Sequence, residues 1–152
     1  MQIISDSPEK TAAIAHDLAR RLSKTTHDQA TVVGLEGELG AGKTTFAQAF
    51  ARSVGVEEYI TSPTFVIMKS YELKKGFSEK NAWKYMVHID AYRLVDGGGL
   101  AQLGVGELFA KSDRVILIEW AERVRDILPE DHITVHIDHV EDSVRKINIH
   151  GE

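Results

Sequence analysis

The chain contains no cysteine, no long hydrophobic run and no excess of positive charge. The missing cysteine excludes disulfides, thiolate zinc sites and a cysteine nucleophile, and it agrees with a cytoplasmic protein. No segment approaches the length that spans a bilayer, and the first residues show no basic stretch before an apolar one, so we expect neither a membrane anchor nor a signal peptide. The formal net charge of −5 disfavours unaided binding to nucleic acid, so we expect any RNA to be held by a partner.

The size and composition of the chain are those of one folded domain. Its 152 residues are 43% hydrophobic and 27% charged, which is enough for a substantial core. Because the sequence has no repeat, low-complexity segment or linker, we expect a single domain over residues 1–152.

The most informative stretch is a glycine-rich motif in the first third of the chain. A glycine, four residues and then Gly-Lys-Thr form the phosphate-loop pattern. Its glycines let successive N–H groups turn towards a phosphate, its lysine reaches the outer phosphates, and its threonine hydroxyl can bind Mg²⁺. The motif predicts nucleotide binding by Glu38, Leu39, Gly40, Ala41, Gly42, Lys43, Thr44 and Thr45.

The flanking sequence supports this interpretation. Residues 30–36 form a short apolar, β-branched run that is typical of a buried strand. Residues 44–54 place Phe46, Ala49 and Phe50 at helical spacing. The chain therefore predicts strand, loop and helix in the order that phosphate binding requires, because the start of a helix favours an anion.

The remaining patterns predict an α/β protein. We expect a P-loop NTPase-like sandwich whose mixed sheet has a parallel core and an antiparallel C-terminal hairpin, with helices on both faces. The predicted strands cover residues 2–4, 66–73, 83–91, 114–119, 133–138 and 143–150, and the predicted helices run from 8 to about 23, from 100 to 109 and from 121 to 128.

Two predicted strands end on an acidic residue. The run 115–118 is apolar and is followed by Glu119, which has the form of the second magnesium motif of phosphate-loop proteins. Residues 85–89 are followed in the same way by Asp90. Ligands of open α/β sheets gather at the carboxyl ends of strands, so we expect Lys43, Asp90 and Glu119 to be catalytic and Thr44 with Glu119 to hold Mg²⁺. Which acid positions the attacking water stays open.

Three neighbouring residues are weaker candidates. His88 shares a strand face with Asp90, although a strand histidine is more often a packed residue than a catalyst. Arg93 can act as an arginine finger or form a structural ion pair. Trp120 can pack at the strand end or lie beside nucleotide or a partner.

A hydroxyl-rich segment forms a further candidate. Thr61, Ser62 and Thr64 surround Pro63 and can form a switch-like loop that senses the γ-phosphate. Hydroxyl groups beside proline are also ordinary turn chemistry.

Four segments occur in the order and approximate spacing of the TsaE family, formerly called YjeE, which this chain resembles. They are the phosphate loop 37–45, Ser-Pro-Thr-Phe at 62–65, His-Ile-Asp-Ala-Tyr-Arg-Leu at 88–94 and Glu-Trp at 119–120. Together they span more than half of the chain.

The resemblance implies a small bacterial ATPase that works with the TsaB–TsaD pair, the proteins that make threonylcarbamoyladenosine beside the anticodon of tRNA. In that family ATP hydrolysis supports repeated turnover of the pair, and tRNA is met only through the partner. The resemblance implies ATP and Mg²⁺ as ligands and a role for Asp90 at the hydrolytic centre. The longer stretch 72–85 and the glycines at 97–99 depart from the family pattern, which affects the partner contacts.

Three other functions use the same loop. A small-molecule kinase would pass the γ-phosphate to a metabolite, but the candidate lid at 97–111 contains no arginine. A signalling GTPase would carry an Asn-Lys-x-Asp segment, which the sequence lacks. A nucleotide-binding regulatory subunit without turnover would need nearly the same groups as the ATPase.

Overall fold

The sheet has seven strands in the residues that the structure, a computed structural model, describes, which are 1–61, 67–74 and 83–152. Four short helices and two single 3₁₀ turns accompany it. The strands are β1 (Gln2–Ser5), β2 (Thr31–Glu36), β3 (Met68–Glu72), β4 (Tyr85–Asp90), β5 (Arg114–Glu119), β6 (Ile133–Glu141) and β7 (Val144–His150). The helices are α1 (Pro8–Leu22), α2 (Lys43–Ser53), α3 (Gly98–Gln102) and α4 (Val105–Phe109), and the 3₁₀ turns are Ala121–Arg123 and Arg125–Ile127.

The strands lie in the order β1-β7-β6-β2-β5-β4-β3. The central strand β2 runs parallel to β5 and β6, and β4 runs parallel to β5. The outer pairs β1–β7, β6–β7 and β3–β4 are antiparallel. The predicted fold class, a mixed sheet with a parallel core and an antiparallel C-terminal hairpin, is confirmed.

The two faces of the sheet support separate apolar cores, because side chains of a strand alternate between faces. On one face Val33, Leu35 and Leu117 pack with α1 and α2. On the other face Val32 and Ile116 belong to the core that contains residues of α3 and α4. Helices therefore cover both faces, as predicted.

The helix that follows the phosphate loop is held by its aromatic face. Phe46 and Phe50 of α2 are fully buried, and they lie one turn apart on the face that packs against α1 and the sheet. α1 begins as its sequence predicts, because the Ser7 side chain accepts a hydrogen bond from the N–H of Lys10 and Pro8 occupies the first turn. The packing of Phe46 and Phe50 fixes the start of α2 against the sheet.

Several element boundaries differ from the prediction. The helix predicted at 100–109 is two five-residue helices, because Gly104 between them has a left-handed φ of 79°. The helix predicted at 121–128 is two 3₁₀ turns, whose N–H groups bond three residues back, as from Val124 to Ala121 at 3.1 Å. β4 begins at Tyr85 and β7 at Val144, two residues and one residue later than predicted. Residue 66 of the strand predicted at 66–73 and residues 75–82 lie outside the described residues.

In the described ranges, no helix is both long and apolar enough to cross a membrane.

The packing of β2 gives a testable prediction about stability. A Cβ added at Gly34 would lie 2.7 Å from the Cβ of Ala121, and neither atom can rotate away. Gly34→Ala should therefore lower the free energy of unfolding by about 1–3 kcal/mol. The matched control is Gly106→Ala in α4, where no atom lies within 4 Å, and this variant should be neutral or up to about 1 kcal/mol more stable. Urea unfolding of the two variants measures the difference, and equal stabilities would contradict the packing account.

Candidate functional site

The phosphate loop follows β2 and turns sharply into α2. Gly37 has a φ of 135°, and a Cβ there would collide with the backbone carbonyl of Ile137. Gly42, the N-cap of α2, has a φ of 106°. Only glycine adopts these conformations without strain, so the sequence pattern corresponds to a backbone requirement. The free N–H groups at the start of α2 then face the cleft where a phosphate would be held.

Lys43 lies across the loop that precedes it. Its Nζ donates hydrogen bonds to the carbonyl of Gly37 and, at 2.8 Å, to the carbonyl of Glu38. The same atom lies 3.8 Å from the centre of the Trp120 ring. The side chain is buried, and this burial lowers the pKa of Lys43 even though four carboxylates nearby act in the opposite direction. An anion in the cleft would favour the charged form of this lysine.

The structure brings Thr44 and Glu119 together. The Thr44 hydroxyl donates to Oε1 of Glu119 at 3.1 Å, which joins the start of α2 to the end of β5. The other carboxylate oxygen of Glu119 lies 2.7 Å from Nε2 of His88, and both side chains are buried. Asp90 is the register partner of Glu119 in β4 and β5, and both residues line the same cleft.

These oxygen atoms suit a magnesium ion. A hydroxyl and one or two carboxylates are the protein ligands that Mg²⁺ takes when phosphate oxygens and water complete its octahedron. The described residues hold no group of three or more His, Cys, Asp or Glu side chains placed for a metal ion. The Thr44 hydroxyl and the Glu119 carboxylate fit a magnesium ion that arrives with a nucleotide.

An aromatic wall stands opposite the loop. Trp120, directly after β5, has a left-handed φ of 60°, and its ring lies 4.9 Å from that of Tyr92. The guanidinium of Arg123 lies over both rings, at 5.2 Å from Tyr92 and 5.3 Å from Trp120. The cleft between loop and wall has a volume of about 510 Å³ and is lined by Leu39, Gly40, Gly42, Lys43, Thr44, Thr45, Asp90, Tyr92, Glu119 and Trp120.

Not every predicted residue lines this cleft. Glu38 and Ala41 take part through the backbone of the loop. His88 lies behind Glu119, and Arg93 is exposed outside the lining. Thr61 is exposed, and the other two residues of the predicted switch-like loop, Ser62 and Thr64, lie outside the described residues.

The structure adds residues that the sequence did not predict. Glu36, the last residue of β2, is buried and accepts two hydrogen bonds from Arg125, at 3.0 and 2.7 Å, and His136 lies 3.4 Å away. Burial raises the pKa of Glu36, but the hydrogen bonds and charges of Arg125 and His136 outweigh it and hold that pKa below its ordinary value. Glu122 accepts from the N–H of Gly37 at 3.4 Å. The segment after Trp120 is thus tied to the entry of the phosphate loop.

A second, smaller pocket lies on the other side of the loop. Its volume is about 150 Å³, and it is lined by Ser7, Pro8, Thr11, Gly42, Thr45, Ser143 and Arg145. Arg145 of β7 also donates from Nε to the Ala41 carbonyl at 3.0 Å. Gly42 and Thr45 line both pockets, so the start of α2 separates them. No local sequence pattern marks Ser7, Thr11 and Arg145 as residues of this pocket, because only the fold brings both ends of the chain to the loop.

The fold and this site define a phosphate-loop α/β protein. Comparison with known proteins then gives the family, because the model of "Threonylcarbamoyl adenosine biosynthesis protein TsaE" matches residues 5–147. The chain belongs to the TsaE family of threonylcarbamoyladenosine biosynthesis proteins, as its resemblance indicated.

Individual relatives agree with this assignment. The chain is 35% identical over 141 residues to the tRNA threonylcarbamoyladenosine biosynthesis protein TsaE of Bacillus subtilis, covering 93% of this chain and 79% of that protein. It is 32% identical to the protein of the same name from Treponema pallidum, covering 98% and 99%. The crystal structure of Bacillus subtilis YdiB superposes with a TM-score of 0.69 at 30% identity, covering 97% of this chain and 82% of that one.

Proposed function

We propose that this protein binds and hydrolyses ATP with Mg²⁺, and that hydrolysis supports repeated turnover of a TsaB–TsaD pair in tRNA threonylcarbamoyladenosine synthesis. The observation that carries the proposal is the hydrogen bond between Thr44 and Glu119. It joins the hydroxyl of the phosphate loop to a strand-end carboxylate beside Lys43, which is the arrangement that triphosphate hydrolysis needs.

Each group in the cleft has a distinct task. The N–H groups at the start of α2 bind the phosphates, and Lys43 leaves the carbonyls of Gly37 and Glu38 to pair with the outer ones. Thr44 and Glu119 hold the magnesium ion, which when bound neutralises charge on the phosphates. These residues fix the triphosphate so that its terminal phosphorus faces Asp90.

Asp90 orients the attacking water. It lines the cleft and is the register partner of Glu119, at the end where the outer phosphates would lie, and its carboxylate can accept a hydrogen bond from water. The water oxygen bonds to the γ-phosphorus while the bond from that phosphorus to the β–γ bridging oxygen breaks, giving ADP and phosphate.

The smaller pocket takes the nucleoside. In this proposal the γ-phosphate lies at the end of the cleft that holds Lys43 and Glu119. The nucleoside then extends to the opposite side of the loop. The pocket lined by Ser7, Thr11 and Arg145 shares Gly42 and Thr45 with the cleft, and it offers hydroxyl groups and a guanidinium for sugar and base.

Two features of the cleft support a protein partner. Among the described residues, no arginine lines the cleft, so the positive charge that speeds hydrolysis in many such proteins must come from elsewhere. At the mouth, the Leu39 and Tyr92 side chains are exposed, 80% and 44% respectively, and such apolar groups suit a protein surface. The net charge of −5 agrees with tRNA being held by the partner.

The central test is ATP hydrolysis by the purified protein with and without the TsaB–TsaD pair. We expect slow hydrolysis by the protein alone and at least about a tenfold rise with the pair, because the partner completes the site. Lys43→Met, which keeps the apolar stem, should lose about 100-fold or more of the stimulated rate while its circular dichroism stays unchanged. A folded Lys43→Met variant with full activity, or phosphate transferred to a metabolite, would contradict the proposal.

The roles of Glu119 and Asp90 can be distinguished by the magnesium dependence of hydrolysis in variants of each. Glu119→Gln should raise the Mg²⁺ concentration for half-maximal hydrolysis about tenfold or more, since it removes a charged ligand. Asp90→Asn should lower the rate at saturating Mg²⁺ by about 100-fold and leave that concentration nearly unchanged. Steady-state rates across a magnesium titration measure both, and the reverse pattern would exchange the two roles.

The nucleoside pocket is tested by filling it. Ser143 lies in the exposed turn between β6 and β7, where a larger side chain does not disturb the core. Ser143→Trp should weaken ATP binding about tenfold or more, because the indole would occupy the pocket and remove the contacts of the nucleoside. Binding of inorganic triphosphate should stay unchanged. Calorimetric titration with both ligands gives the comparison, and an equal loss for the two would move the nucleoside elsewhere.

A further inference from the structure

His88 is a buried polar residue that forms a hydrogen bond with Glu119, the proposed magnesium ligand. It lies in the middle of β4, is fully buried, and places Nε2 2.7 Å from Oε2 of Glu119. Its strand neighbour on the same face, Asp90, opens into the cleft, whereas His88 does not line it. Among the described residues of the site, Glu119 is the one that hydrogen-bonds to the imidazole.

The hydrogen bond fixes which nitrogen carries the hydrogen. The Glu119 carboxylate is an acceptor, so Nε2 must be the donor. The Nδ1 atom is buried, and no described residue is its partner. The alternative tautomer would bury an N–H at Nδ1 without a described acceptor and would leave Nε2 and Oε2, two acceptors, facing each other at 2.7 Å. The structure thus selects the Nε2–H tautomer.

Glu119 needs such a donor because of its neighbours. Asp90 is directly opposite Glu119 in the parallel register of β4 and β5, and adjacent like charges repel. That repulsion would turn the Glu119 carboxylate away from the cleft. His88, two residues before Asp90 on the same strand, holds Oε2 on the buried side, so that Oε1 stays next to the Thr44 hydroxyl at 3.1 Å.

We propose that His88 is a positioning residue: its Nε2–H donates to Glu119 and aims the other oxygen of that carboxylate at the magnesium position beside Thr44. The inference rests on the proposed ATPase function and adds the group that orients its metal ligand. Donors behind a metal ligand commonly set its orientation and affinity for the metal.

The test compares two substitutions that differ in one donor. His88→Met removes the N–H, and His88→Gln places an amide N–H near the position of Nε2. We expect His88→Met to raise the Mg²⁺ concentration for half-maximal nucleotide binding and hydrolysis about 10–100-fold. Binding of nucleotide in EDTA should not change, and His88→Gln should recover most of the loss.

Met86→Leu is the matched control for packing. Met86 is fully buried on the same strand face and, unlike His88, carries no donor to Glu119, so its conservative change should leave the magnesium dependence unchanged. A folded His88→Met variant with the magnesium dependence of the wild type would overturn the inference. So would a folded His88→Gln variant that is as impaired as His88→Met.

A second readout does not depend on activity. The ¹⁵N spectrum of the His88 imidazole, assigned by its loss in His88→Gln, should show hydrogen on Nε2 in magnesium-free protein. The opposite tautomer would overturn the inference even if His88→Met failed to fold. Wild-type protein without magnesium-dependent nucleotide binding would instead reject the proposed function, so the two failures are distinguishable.

Discussion

The site depends on the parallel pairing of β5 with its two neighbours. This pairing places Leu35 of β2 opposite Glu119, and Glu119 opposite Asp90 of β4. Because parallel strands end at the same edge of a sheet, the phosphate loop and both acids must meet there. A register shift of one residue would turn Glu119 to the opposite face, away from Thr44. The buried apolar residues on both faces hold the register that the site needs.

Three acceptors at this edge, Glu119, Glu36 and the Ala41 carbonyl, receive hydrogen bonds from different elements. Glu119 is bonded by α2 and β4, and Glu36 by Arg125 of the second 3₁₀ turn. Arg145 of the C-terminal hairpin supports the Ala41 carbonyl. A buried carboxylate without a partner is costly, so these bonds join the loop, the strands and the hairpin into one unit. The loop is therefore held from both ends and does not rest on its glycines alone.

Local sequence patterns are sufficient to predict part of the site. The phosphate loop and the strand-end acids Asp90 and Glu119 follow from short motifs and from where apolar runs stop. The contacts of Glu36 with Arg125 and of Ala41 with Arg145 join residues 89 and 104 positions apart, and they depend on sheet order and twist, which no local pattern contains. Gly104 and Gly106 weaken the helix predicted at 100–109, but the sequence does not say whether a helix bends or ends at Gly104.

The charge balance of the cleft gives a physical reason for magnesium in the proposed reaction. Lys43 is one buried cation, and the carboxylates of Glu122, Glu119, Asp90 and Glu38 are near enough to act on its pKa. A triphosphate entering this cleft alone would meet more negative than positive charge, because one lysine and a helix terminus do not offset the acids. A divalent cation held by Thr44 and Glu119 would supply the positive charge that offsets this excess. In the proposed reaction these acids would therefore favour the magnesium complex of the nucleotide over the free nucleotide.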